Sequence, residues 1–171
     1  MQSWFVESAF LGILRVSFDE NVQGLTSNGS VKNGAIVQIE MMQRAKPTKF
    51  KTTAYEELVS ALRDYESGSL QAFNGLSVQV AGTDFQKEVL RQMRGVEPGS
   101  VVTYGDLAKL SGYPKAARAV ATVCATNKVP LILPCHRVVP SDLSIGNYAS
   151  RILKDGSRLK EALLGHEGAL I

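Results

Sequence analysis

Polar and apolar positions alternate along two early stretches of the chain. Leu14, Val16 and Phe18 recur at every second position within Phe10 to Phe18, and Val37, Ile39 and Met41 repeat the pattern. Period-two alternation predicts half-buried strands, and the turn-forming run Ser27-Asn28-Gly29 between them predicts a small antiparallel sheet. The period then changes. After the basic, proline-containing stretch Gln43 to Lys51, Thr53 and Glu56 form a capping-box pattern opening a helix with Tyr55, Leu58, Leu62 and Tyr65 on one side, suited to pack on that sheet. Gly68 to Gly82 reads as a linker holding one short extended piece.

A second run of helical signals follows. Thr83 and Gln86 make another capping box, with Phe85, Val89 and Met93 at helical spacing until Gly95 and Pro98 stop the helix. Thr103 with Asp106 opens a short helix through Leu107 and Leu110, Ser111-Gly112-Tyr113 turns the chain, and Pro114 suits the first turn of a helix running to about Thr126. Helix, tight glycine turn, helix is the helix-turn-helix pattern. The expected architecture is therefore α+β: residues 1–81 form a small sheet-plus-helix domain, and residues 82–171 a mainly helical one.

Composition narrows the class. With 171 residues, 44% apolar and 20% charged, the chain can bury a sizeable core and reads as globular rather than disordered. No apolar run approaches the roughly 20 residues needed to cross a bilayer. Met1 to Phe10 lacks the regions of a signal peptide, so an intracellular protein without membrane attachment is expected, cytoplasmic in a prokaryote or nuclear in a eukaryote. The net charge of +3 is uneven: residues 1–81 carry −1 and residues 82–171 carry +4, which favours an acidic partner for the second part. Two cysteines and two histidines without a Cys-x-x-Cys pair make neither a disulfide framework nor an obvious zinc site, so no structural metal is expected.

The stretch Pro134-Cys135-His136-Arg137-Val138-Val139 sets one of those cysteines beside one of those histidines inside an apolar run. Free cysteine is often an inert small hydrophobe; a neighbouring imidazole is also the base a nucleophilic thiol needs. Neighbours along a strand face opposite ways, so contact between the two requires a turn or a bridging water. Cys124, within a helix and without a nearby histidine, is expected in the core. In the second helix of the pair, small side chains surround Arg118, suiting either packing against a neighbour or close approach to a groove with the arginine reaching phosphates or the base stack.

Together with Tyr104-Gly105, Arg118, Asn127 and Leu163-Leu164-Gly165-His166-Glu167-Gly168, in that order and at nearly family spacing, Pro134 to Val139 resembles the O6-alkylguanine-DNA alkyltransferase family. The resemblance covers about residues 82–171; the first part is similar to the family's N-terminal domain, an RNase H-like layout, only in arrangement. It implies a winged-helix-like helix-turn-helix and direct-reversal repair without a cofactor. The alkyl group of O6-alkylguanine, with O4-alkylthymine as a second candidate substrate, passes irreversibly from a flipped-out nucleotide to a cysteine.

Carried onto this chain, Cys135 would be the nucleophile, His136 its base through a water, and Glu167 the group orienting that histidine. Asn127 would brace the turn presenting Cys135, and Tyr104 would rotate the target phosphate and donate a proton to the guanine. Arg118 would fill the gap left by the flipped base. Gln86, Tyr104, Gly105, Tyr113, Ala117, Arg118 and Ser141 would touch DNA, while Val138, Ile145, Gly146, Asn147 and Tyr148 would line the guanine pocket. Arg137 reads as a buried pairing partner. The implied partner is double-stranded DNA carrying O6-alkylguanine, bound by a monomer, with or without cooperativity along the strand and with no obligatory protein partner.

The chain departs from the family pattern between Tyr148 and Lys160, where the segment is longer and Ala149-Ser150-Arg151 replaces the usual glycine-containing step; a longer, more basic pocket lid is expected. Three other classes fit the chain less well. A lesion-binding relative lacking the cysteine is opposed by Cys135. A cysteine peptidase is opposed by the adjacency of His136, and a dimeric helix-turn-helix regulator would have no use for the pair.

Overall fold

The computed structural model describes residues 2–8, 12–28, 30–42, 52–148 and 156–169. They form two compact units, Met1–Gln79 and Val80–Ile171.

In the first unit, β1 (Gln2–Ser8), β2 (Gly12–Leu25) and β3 (Val31–Met42) build an antiparallel sheet in that order. Leu14 and Val16 are buried as their alternation predicts. Ile39 is buried as its alternation predicts, but Val37 breaks the pattern because β3 carries a bulge: Ser17 faces Gln38 and Phe18 faces Ile36, leaving Val37 unpaired. The extra residue turns Ile36 to the buried side along with Ile39, while Val37 is only half-buried; the Met41 side chain lies outside the described residues. Sequence reading missed β1. Its buried alternate positions are Val6 and Ser8, and Ser8 is polar, so no apolar period marks it.

The helix α1 (Thr53–Glu66) runs against β1, and the Ser8 hydroxyl donates to Glu66 Oε1 at 2.8 Å. Leu58, Leu62 and Tyr65 are buried as expected. The cap is Thr52 rather than Thr53: Glu56 N–H donates to the Thr52 carbonyl at 3.0 Å, so the first helical bond closes one residue earlier, and Thr52 Oγ1 accepts from Tyr55 N–H.

The segment read as a linker is, up to Gln79, part of this unit. Val78, fully buried, is paired on one side with Leu25 and on the other with Ile36, through Leu25 N–H to Val78 O at 3.0 Å and Gln79 N–H to Ile36 O at 2.9 Å. Gly24 lets this segment approach, since a Cβ there would overlap Ser77 Oγ and Ala35 Cβ. The basic stretch 43–51 lies outside the described residues.

The second unit begins with α2 (Asp84–Arg94), whose capping box is complete: Thr83 Oγ1 accepts from Gln86 N–H and Gln86 Oε1 accepts from Thr83 N–H. Val89, Leu90 and Met93 fill its buried face, each stabilising by about 1.5–3 kcal/mol. Then come β4 (Val102–Thr103), α3 (Tyr104–Leu110), α4 (Ala117–Ala125), β5 (Val138–Val139) and α5 (Gly156–His166), with β4 and β5 pairing in parallel. The Thr103 cap holds as expected, accepting from Asp106 N–H at 3.0 Å.

One expectation needs correction here. Pro114 does not open α4, because Ala116 N–H donates to the Tyr113 carbonyl at 2.9 Å and closes a turn with Pro114 at its second position; the helix starts only at Ala117. α3 runs through Leu107 to Leu110 as expected, with Leu110 59% exposed at its end. Of the segment from Tyr148 to Lys160, residues 149–155 lie outside the described residues.

Candidate active site

The chain from Asn127 to Val139 makes the centre of the second unit. Asn127 follows α4 and brackets the loop after it: its Oδ1 accepts from Val129 N–H at 3.0 Å and its Nδ2 donates to the Leu133 carbonyl at 2.8 Å. Within the loop, Leu131 takes a left-handed conformation, φ 74°, with its side chain buried. Cys135–Arg137 then form one turn of 3-10 helix, with Arg137 N–H donating to Pro134 O at 2.9 Å. That turn removes the strand geometry that would have sent Cys135 and His136 to opposite faces.

Asn127 Nδ2 also donates to Cys135 Sγ at 3.2 Å. Burial pushes the Cys135 thiol up, while this hydrogen bond and the positive charge of Lys160 pull it back down. His136 is buried, and its Nε2 lies 3.0 Å from Glu167 Oε1. A carboxylate accepts only, so Nε2 carries the proton and Nδ1 keeps its lone pair. That Nδ1 is enclosed and has no hydrogen-bond partner among the described residues. Burial lowers the His136 pKa against the pull of Glu167, so the ring is neutral.

Glu167 is shared with Arg137, whose Nε and Nη2 donate to the two carboxylate oxygens at 2.8 Å each, while Nη1 donates to the Val96 carbonyl at 2.6 Å. Burial alone would raise the Glu167 carboxyl, but the hydrogen bonds from His136 and Arg137 and the charge of Arg137 bring it down to about 2. Arg137 is thus a buried pairing partner, and it keeps Glu167 ionised.

Cys135, 7% exposed, opens on a cavity of about 500 Å³ lined also by Tyr104, Ala121, Thr122, Cys124, Ala125, Thr126, Pro140, Gly146, Asn147 and Tyr148. Burial, with the cysteines adding to it, pushes the Tyr104 hydroxyl up to about 12, so it is protonated and can donate. The Tyr148 ring meets His136 edge-on at 6.3 Å.

The remaining candidates lie elsewhere. Val138 is buried in β5 and Ile145 half-buried, both outside the cavity lining. Arg118 and Ser141 are exposed, Ala117 and Gly105 half-buried, and Gln86 is held in its capping box. Tyr113, 42% exposed, stacks edge-on against Phe85 at 4.9 Å.

Two residues were misjudged or missed. Cys124, expected in the core, is half-buried in the cavity wall with its sulfur 3.9 Å from Met93 Sδ, because α4 turns Ala121, Thr122 and Ala125 to the same side. Burial pushes its thiol far up, which leaves it protonated. Lys160, which no local signal marked, is fully buried in α5 and donates to the Val138 carbonyl at 2.7 Å. Among the described residues no group of three or more His, Cys, Asp or Glu side chains is placed to hold a metal, and no helix is long and apolar enough to cross a membrane.

Residues 84–169 match the family model for the DNA-binding domain of 6-O-methylguanine DNA methyltransferase. A protein named methylated-DNA--protein-cysteine methyltransferase from Shigella flexneri is 39% identical over 114 residues, 67% of this chain and 64% of its own length. A Rattus norvegicus protein of the same name is 47% identical over 85 residues, 49% of this chain and 39% of that one. The chain therefore spans less than two thirds of the length of these relatives. Among solved structures, Mycobacterium tuberculosis OGT in complex with DNA is similar with a TM-score of 0.72, over 96% of this chain and 91% of that chain, at 24% identity, a likeness of fold.

Proposed function

Because this chain belongs to the 6-O-methylguanine DNA methyltransferase family by its match over residues 84–169, we propose that it repairs DNA directly, moving the alkyl group of O6-alkylguanine onto its own Cys135. One arrangement carries this reading. A thiol opens on a cavity large enough for a base, and the next residue is a neutral imidazole whose far nitrogen is bonded to an ionised carboxylate. A cavity of this size falls within the range of about 300–1,000 Å³ typical of small-molecule sites.

The chemistry follows from the tautomer. Glu167 holds His136 with Nε2 protonated, so Nδ1 takes the Cys135 proton, through a water. The sulfur attacks the alkyl carbon, a C–S bond forms, and the C–O6 bond breaks with its electron pair going to the guanine oxygen. Tyr104, held protonated, donates to the departing ring and is reprotonated from His136, so the proton lost by the thiol ends on guanine. The thioether has no route back, and each molecule acts once. A target inside a stacked duplex is out of reach, so the nucleotide is flipped at a cost of a few kcal/mol. Arg118, exposed at the start of α4, fills the vacated space, with the α3–turn–α4 element laid in the minor groove.

The test is peptide-resolved mass spectrometry after incubation with duplex DNA containing O6-methylguanine. One methyl group on the peptide carrying Cys135, saturating at one per molecule, is expected. Binding without any gain in mass would replace this reading with a non-catalytic lesion binder.

A further inference from the structure

Lys160 is 0% exposed, yet lysine is almost never fully buried without a partner. Among the described residues it forms no ion pair, and its described hydrogen bond goes to a neutral acceptor, the Val138 carbonyl. An ammonium has three N–H groups, so one bond to a carbonyl leaves most of its charge uncompensated. Its position gives that charge a direction. A Cβ built on Gly146 would lie 3.9 Å from Lys160 Nζ, and Gly146 lines the same cavity as Cys135 and Cys124. The ammonium therefore sits just behind the cavity wall.

The charges around the nucleophile leave Lys160 a specific task. Glu167 and Arg137 cancel each other through their two-point pairing, and His136 is neutral. Moving the Cys135 proton to His136 sets a negative sulfur beside a positive ring, and once that proton passes on toward guanine the trio no longer balances the charge on the sulfur. The groups that feel the Lys160 charge are Cys135, Cys124 and His136: it favours thiolate at the first two and disfavours imidazolium at the third. The first favours the thiolate on Cys135, and the third favours passing the proton onward from His136 over keeping it there.

Resting on the function proposed above, we propose that Lys160 is a positioning residue for alkyl transfer. Its enclosed ammonium fixes the Val138 carbonyl in the strand following the nucleophile and supplies the charge that holds Cys135 as a thiolate. As the C–S bond forms, negative charge leaves the sulfur and arrives on the guanine oxygen in the same cavity. The ammonium faces that charge throughout.

The experiment is the pH dependence of Cys135 alkylation by iodoacetamide, read by peptide mass spectrometry to separate it from Cys124, in the wild type, Lys160→Met and Lys160→Arg. Single-turnover transfer from O6-methylguanine duplex is followed in parallel. For Lys160→Met the thiolate midpoint is expected to rise by about one pH unit or more, and transfer at pH 7 to fall about tenfold with duplex affinity retained. Lys160→Arg is expected to keep the wild-type midpoint. A folded Lys160→Met protein with an unmoved midpoint would overturn the proposal.

If Lys160→Met does not fold, the wild type and Lys160→Arg decide. Burial lowers Lys160 to about 8 whereas arginine keeps its charge, so wild-type transfer should decline above that pH relative to Lys160→Arg. Parallel profiles would also overturn it. Absence of methyl uptake by the wild type defeats the repair reading instead, and the iodoacetamide midpoints still judge Lys160.

Discussion

The side-chain nitrogen of Asn127 that donates to the Leu133 carbonyl at 2.8 Å also reaches the sulfur of Cys135 at 3.2 Å. One amide thus fixes the loop and favours the charged form of the thiol it presents, coupling the shape of the loop to the reactivity at its end.

Asn127→Ala should therefore fail in two measurements together. Val129 N–H loses its described partner, costing about 1–3 kcal/mol and visible as a lower urea midpoint, while the Leu133 carbonyl loses one of two donors and keeps the Cys135 N–H. The Cys135 alkylation profile should move to higher pH. A variant that loses stability while keeping the profile would confine the amide to bracing.

Stability should fall in acid on account of Glu167. Its carboxyl is held at about 2 in the folded protein against an ordinary 4.5, so this contribution is complete above about pH 4.5 and drains away as pH falls toward 2. The amount is about 3 kcal/mol for this buried group. Glu167→Gln should flatten that part of the pH–stability curve and, by leaving the Arg137 guanidinium buried with its carboxylate gone, cost about 3–5 kcal/mol at pH 7. Thermal melts of both proteins from pH 2 to 7 check it.

Leu131 tests how the loop holds its conformation. Left-handed backbone costs a non-glycine residue about 1 kcal/mol, whereas truncating a buried leucine costs about 2–5. Both Leu131→Ala and Leu131→Gly should destabilise, and glycine should be the milder, the reverse of the usual order. Equal or worse stability for the glycine variant in denaturant titration would contradict the strain at this residue.

Gly146→Ala should narrow the site. At φ 65° any side chain is strained, and the new Cβ would lie 3.0 Å from Pro140 Cδ and Cγ, ring atoms with little freedom to retreat. A loss of about 1–3 kcal/mol is expected, with transfer of a benzyl group slowed more than transfer of a methyl group. Single-turnover rates for the two adducts make the comparison, and an equal slowing would mean the wall near Pro140 does not meet the alkyl group.

Arg118→Ala should leave stability within about 0.5 kcal/mol, since the side chain is exposed. On the reading proposed above it should slow transfer from duplex DNA far more than from a single strand, where no base stack has to be held open. Matching losses on the two substrates would remove Arg118 from the flipping step.

What could be read ahead of the structure was local chemistry. Thr83 with Gln86 and Thr103 with Asp106 announce helix starts because cap and partner are three residues apart, and both caps form. Cys135-His136 stands out because two scarce residue types adjoin. The errors have equally local causes: Thr52 and Thr53 are chemically identical caps one residue apart, Pro114 suits a turn as well as a helix start, and the Val37 bulge depends on a partner strand. What stayed hidden needed the third dimension. Lys160 looks like any lysine on an amphipathic helix until α5 carries its ammonium to the Val138 carbonyl, and Cys124 looks like core until α4 turns it to the cavity.

The pairing of Val78 with both Leu25 and Ile36 bears on how the chain can be divided. The glycine-bearing stretch from Gly68 onward invites a cut, but a fragment ending there would lose the residues that bond to Leu25 and Ile36 near the turn of the β2–β3 hairpin, exposing the peptide groups of both. Such unpaired edges are templates for aggregation. A first-unit fragment that stays soluble must carry Val78 and Gln79, so the shortest autonomous piece is set by a residue that reads as connecting tissue.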